Sequence, residues 1–215
     1  MKRSLLVLAA SAAAVVAPVI MAAPGPHPAG QTVQGRDGRR RRIDSIDDVV
    51  AAVEESGAQG WELVNLATGI VHRMYTHYST WHLWLTPAQS ARRGQGHSQQ
   101  YNLALGAVLR RLGVDVETVH AARVRMEHHP WYHTGHTWLR VTVGGKTLDV
   151  CASRPGNRAG EVGFLPVTEV RPLGPLTRLD SALALTPFVV TSVWKTWLTG
   201  RGVQRWLYRP FGQSA

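Results

Sequence analysis

The sequence predicts an α+β domain, and three observations carry that prediction. Apolar residues recur at helical spacing from Ile46 to Leu112. They change to strand-like alternation between Val114 and Cys151, and the pair Gly144-Gly145 divides two runs of that alternation. The chain has 215 residues, enough for one domain with a real core and marginal for two. Its 44% hydrophobic and 18% charged residues are ordinary for a globular protein. The formal charge of +10 is unevenly placed: residues 1–42 hold seven Lys/Arg and one acid, residues 43–180 thirteen of each, and residues 181–215 four basic residues and no acid. A neutral body with basic ends argues against a nucleic-acid-binding face and suits ends that meet a membrane surface. Cys151 is the single cysteine, so no intramolecular disulfide and no cysteine-based zinc site can form.

Lys2 and Arg3 precede an uncharged Ala/Val/Leu-rich run to Ala23, which reads as a secretory signal peptide or a signal anchor (residues 1–23). This places the chain at the cell envelope, exported or membrane-anchored. Arg36 and Arg39–Arg42 oppose translocation and keep a cytoplasmic alternative open. Residues 24–42 read as a basic Pro/Gly linker. The domain, residues 43–180, opens with Ser45 as a helix cap, Asp47 and Asp48 in the first turn, and Gly57 as the stop. A second helical stripe runs through Trp61, Val64, Ala67, Thr68 and Val71. Thr86-Pro87 starts a short helix. A third main helix starts near Ser98, with Tyr101, Leu105, Val108 and Leu112 on one face and Gly113 after it. Residues 127–135 read as a His/Pro/Gly loop, and residues 136–151 as a β-hairpin around Gly144-Gly145. Short strands and loops follow to residue 180. The extension 181–215 carries a helix from Pro187 with a stripe of Val190, Val193, Trp194, Trp197 and Leu198.

Ser98 stands where chemistry is easiest, at a helix N-terminus whose N–H groups stabilise negative charge and can form an oxyanion hole. His136 opens one strand and Asp149 lies on the next. The order Gly96-His97-Ser98, Leu109-Arg110-Arg111-Leu112-Gly113, His136-Thr137-Trp138 and Leu148-Asp149-Val150 resembles the core of the transglutaminase-like, papain-type fold over about a quarter of the chain. The resemblance implies N-terminal helices packed on an antiparallel sheet, a C-terminal helix beyond, and thiol chemistry on amides: peptide hydrolysis, deamidation or acyl transfer. Carried onto this sequence, it implies Ser98, His136 and Asp149 as the catalytic positions. Gln95, His97 and Trp138 become oxyanion or substrate-binding candidates.

Two positions depart from the pattern. Serine replaces the nucleophilic cysteine, and a hydroxyl cannot form the resting ion pair a thiol forms with histidine. The family's acid falls about two residues later than Asp149, where Cys151 stands. A Gly144-Gly145 turn pairs Arg140 with Asp149, which puts Asp149 about 13 Å along the sheet from His136 unless a bulge intervenes. Each candidate also has a structural reading: Ser98 as a helix cap, His136 as a buried histidine, Asp149 as the partner of Arg140, Cys151 as a core residue, and Gln95 and His97 as loop residues. No cofactor is called for, and a zinc site among His128, His129, His133 and His136 lacks a recognised ligand spacing.

The leading expectation is therefore a domain that has lost thiol chemistry and binds a peptide or amide-containing ligand. An active Ser98–His136 acyl hydrolase or transferase is the alternative. A membrane-surface scaffold acting through residues 187–215, where Trp194, Trp197, Trp206 and Tyr208 alternate with basic residues, is the third.

Overall fold

A computed structural model describes residues 2–21, 31–35, 38–78, 85–127 and 129–175, the last from 129 to 134 as backbone, together with Pro187, Val190, Thr191, Trp194, Lys195, Leu198 and Thr199. The elements are α1 (Lys2–Met21), β1 (Gln31–Gln34), β2 (Arg40–Ile43), α2 (Ile46–Ser56), α3 (Gly60–Met74), β3 (His77–Tyr78), α4 (Pro87–Arg93), β4 (Gln95–Gly96), α5 (Ser98–Arg111), β5 (Asp115–Met126), β6 (His129–Val143), β7 (Lys146–Val150), β8 (Phe164–Pro166) and β9 (Val170–Pro172). The fold is α+β.

The helix ends follow their local chemistry. Ser45 caps α2 by accepting from the Asp48 amide, and Gly57 ends it in the left-handed region. Thr86 and Gln89 form a capping box at α4, with Pro87 in the first turn. α5 is the central helix. Its Tyr101, Ala104, Leu105, Val108 and Leu109 are fully buried, with α2, α3 and α4 packed around it and β5 and β6 beneath it. The Tyr75 ring at the end of α3 stacks on Tyr101 with centroids 4.0 Å apart, and its hydroxyl bonds Ser90 Oγ at 2.8 Å. That pair locks the three helices at the end where α5 begins.

The main sheet is antiparallel with strand order β7-β6-β5-β8, and β9 also pairs with β5. Alternation along β6 divides its faces. Leu139 and Val141 join Val150 in the helix-side core, whereas Trp138 joins Val119, Met126, Cys151 and Phe164 in a second cluster on the opposite face. The hairpin register places Arg140 opposite Asp149, as the turn predicts.

Two organisational expectations change. Part of the stretch read as a linker is a hairpin: β1 pairs β2 antiparallel around Gly38, and Ile43 is buried. Alternation in Gln-Thr-Val-Gln and the long stems of Arg40–Arg42 suit an exposed two-stranded ribbon despite the basic, Gly-rich composition. The loop expected over 127–135 is mostly strand, because β6 already runs from His129. Trp131, Tyr132 and Thr134 are strong strand formers, and Pro130 sits near the strand's start where a missing N–H is tolerated. Register shifts between Ala121 and Val124 and between Arg125 and Met126 absorb the irregularity.

α1 is helical over the predicted leader, yet no helix among the described residues is long and apolar enough to cross a membrane. Beyond Pro187 the described residues are helical. Val190, Trp194 and Leu198 of the C-terminal stripe are among them, whereas Val193, Trp197, Trp206 and Tyr208 lie outside the described residues.

Candidate active site

The start of α5 is built by a close approach. A Cβ on Gly96 would lie 3.0 Å from Gln100 Cβ, from Gln100 Oε1 and from Tyr75 Cε1, so any larger residue would push these neighbours aside. The short parallel pair β3–β4 sets Gln95 and Gly96 beside His77 and Tyr78. His97, not Ser98, is the N-cap. Gln100 reaches back so that its Oε1 accepts from the His97 amide at 3.1 Å and lies 3.0 Å from His97 Nδ1. Ser98 is thus the first helical residue, which corrects the reading of it as the cap. It keeps its side chain at the positive end of the helix dipole.

Asn102, one turn further on, fastens this helix start to both strands. Its Nδ2 donates to the Ser98 carbonyl at 2.9 Å, to the Thr137 carbonyl at 2.8 Å and toward Cys151 Sγ at 3.4 Å. Its Oδ1 accepts from the Ala152 amide at 2.9 Å. The three stretches singled out in the sequence therefore converge, through a residue that the motif reading passed over. The sequence carries only its place four residues after Ser98, on the same helical face; its burial and its bonds come from the fold.

His136 lies at this junction, 3% exposed. Its Nε2 is 3.4 Å from Cys151 Sγ. Phe164 packs edge-on against its ring at 4.5 Å, and Trp138 lies at 6.1 Å. Nδ1 is buried with no hydrogen-bond partner among the described residues, so no hydrogen bond joins Ser98 to His136. Burial first, then the neighbouring His120, His97 and Arg154, push the imidazole pKa down to about 3. Burial also pushes the Cys151 thiol up, opposed by bonds from Ser153 and Asn102, so the thiol stays protonated at neutral pH. Ring and sulfur thus meet as two neutral groups.

Asp149 does not reach this pair. Its Oδ1 accepts from the Trp138 indole at 2.9 Å, and Arg140 Nε lies 3.7 Å away. The structure brings Cys151, not Asp149, to His136 Nε2, because the hairpin keeps regular register and supplies no bulge to move Asp149 along the sheet. Trp138 is completely buried, with its only polar atom committed to Asp149. Gln95 and His97 are buried beside the helix start, and Ser98 itself is 7% exposed. Among the described residues no group of three or more His, Cys, Asp and Glu is placed to hold a metal ion; the side chains of His128, His129 and His133 lie outside them.

No protein-family profile and no curated protein matches the chain. Among solved structures it is similar to a TGase, at 13% identity and a TM-score of 0.40 over 50% of this chain and 30% of that one. It is also similar to a cysteine-protease candidate from Cytophaga hutchinsonii, at 13% identity and a TM-score of 0.37 over 60% of this chain and 49% of that one. The chain spans less than half the length of either structure.

Proposed function

We propose that this chain is a transglutaminase-like domain of the cell envelope that has lost acyl-transfer chemistry and works by binding a peptide or amide-containing ligand. One observation carries the loss of chemistry: the position facing His136 Nε2 is held by the Cys151 thiol at 3.4 Å, where that chemistry needs an acid. A base that takes a proton from Ser98 becomes an imidazolium, and a carboxylate against its other nitrogen stabilises that charge. A neutral thiol offers no such stabilisation. With burial holding the imidazole pKa down to about 3, His136 is a poor proton acceptor at neutral pH. Serine in place of a thiolate removes the remaining driving force. Cys151 does not substitute as a nucleophile, because it is fully buried and protonated.

The cell-envelope assignment is supported by α1, whose Leu5, Leu6, Val7 and Leu8 are 62–72% exposed behind the basic Lys2 and Arg3. Mass spectrometry of the native N-terminus tests it, with loss of a leader ending near Ala23 as the expected result.

The chemistry is tested by restoration. Ser98→Cys combined with Cys151→Asp returns both missing groups, and the double variant is expected to hydrolyse a fluorogenic peptidyl amide in an iodoacetamide-sensitive way. Ser98→Cys alone is expected to stay far weaker. The unpartnered Nδ1 of His136 favours the rival reading of an active serine site. Labelling of the unmodified protein by a fluorophosphonate, lost in Ser98→Ala, would establish that rival.

A further inference from the structure

A cleft of about 820 Å³ lies outside the catalytic junction, between β7 and the loop that leads into β8. Phe164 lines it and also packs against His136, so the two sites share a wall. The floor of the cleft is main chain. Around a two-residue turn, the flanking pair Val143–Lys146 exchanges both backbone bonds, and the bonded pairs then alternate along the ladder. Thr147 and Asp149 therefore direct their N–H and C=O groups away from β6. The Asp149 carbonyl bears this out by accepting from the Gly160 amide at 2.8 Å. Thr147 has no such cover: β7 ends the sheet, and no strand among the described residues pairs with its outer edge.

Side chains around that open edge define a partner. Glu127, Asp149 and Glu161 line the cleft together with Arg140 and Arg154, and Arg140 Nε lies 3.7 Å from Asp149. The lining keeps an excess of acid. Phe164, Leu165 and Pro166 make its apolar end. An exposed strand edge with its donor and acceptor open is a template for an added strand.

We propose that the outer edge of β7 at Thr147 takes a short extended peptide as an added strand, with a lysine or arginine of that peptide reaching the acidic side of the cleft. The inference deepens the ligand-binding reading above and rests on it in taking the ligand to be a peptide. It needs nothing from Ser98 or His136.

The test uses the full chain and an acetylated, amidated octapeptide of alternating valine and lysine, with the valine–glutamate peptide as comparison, followed by calorimetry and amide chemical shifts. Saturable binding of the lysine peptide, with shifts centred on Thr147, is expected. Thr147→Pro removes an outward N–H without removing a ladder bond, and should weaken binding by about tenfold, as loss of one hydrogen bond predicts. Glu161→Lys should weaken it as well, and it decides the matter if the proline variant does not fold. The proposal is overturned by absence of saturable binding, by equal affinity for the glutamate peptide, or by full affinity in folded Thr147→Pro. The amidase result for the double variant is independent, so either idea can fail alone.

Discussion

At the scale of single residues, the site is defined by what each side chain is already committed to. Asn102 bonds two carbonyls and one amide at the helix–sheet junction. Asn102→Ala is expected to lower stability by about 3 kcal/mol, because several buried main-chain groups lose their partner together. Urea denaturation reads this directly. Gly96→Ala is expected to cost about 1–3 kcal/mol through contact with Tyr75 and Gln100, read in the same denaturation curves. Asp149→Asn keeps an acceptor for Trp138 and is expected to leave the amidase activity of the restored double variant unaltered. A matching loss of activity would instead place Asp149 in the machinery. The sequence made Ser98 and His136 legible because a helix start and a strand start have local signatures. The acid position was half legible: its offset pointed to Cys151, but motif order alone favoured Asp149. Asn102 was not singled out, since its role depends on three long-range partners that no periodicity encodes.

At the scale of elements, caps and turns were the most readable features. Ser45, Gly57, Thr86-Pro87 and Gly144-Gly145 each act as their chemistry dictates, and the register of β6 on β7 followed from the turn alone. The strand over His129–Gly135 and the ribbon β1–β2 were obscured for one reason. Proline, glycine and arginine content signals irregular structure on average, but strand pairing with a partner outside the local window overrides it. The division of β6 into two faces has a consequence for stability. Trp138 closes the second core beneath Phe164, with ring centroids 5.2 Å apart. Trp138→Phe is expected to cost roughly 1–3 kcal/mol, by removing the indole bond to Asp149 and part of that packing. Phe164→Ala is expected to cost about 3–5 kcal/mol and to open the wall between His136 and the cleft. Thermal denaturation checks both, and acrylamide quenching of tryptophan should increase for Phe164→Ala if the wall opens.

At the scale of the whole molecule, the buried neutral histidine links folding to pH. Its folded pKa lies below the value near 6.5 of an exposed imidazole, so the unfolded chain binds the proton first. Stability is complete above about pH 6.5 and falls as pH drops from there toward 3. His72, also lowered by burial, acts in the same direction. Between pH 7.5 and 4.5 the His136 contribution amounts to about 3 kcal/mol, and His136→Gln should flatten that part of the slope in denaturation curves. The α+β class, the central helix and the hairpin are all readable in the sequence. What was not readable is that helix and hairpin meet with both reacting positions closed to solvent and an uncharged thiol between the strands. That outcome depends on packing rather than on pattern.

The central claim is that His136 remains uncharged against the Cys151 thiol and so cannot serve as a base. Imidazole titration by ¹⁵N-detected NMR, assigned by comparison with His136→Gln, measures this most directly. A ring that keeps its neutral chemical shifts from pH 8 to pH 5 is the predicted result. Protonation with a midpoint near pH 6.5, moving when Ser98 is substituted, would contradict it.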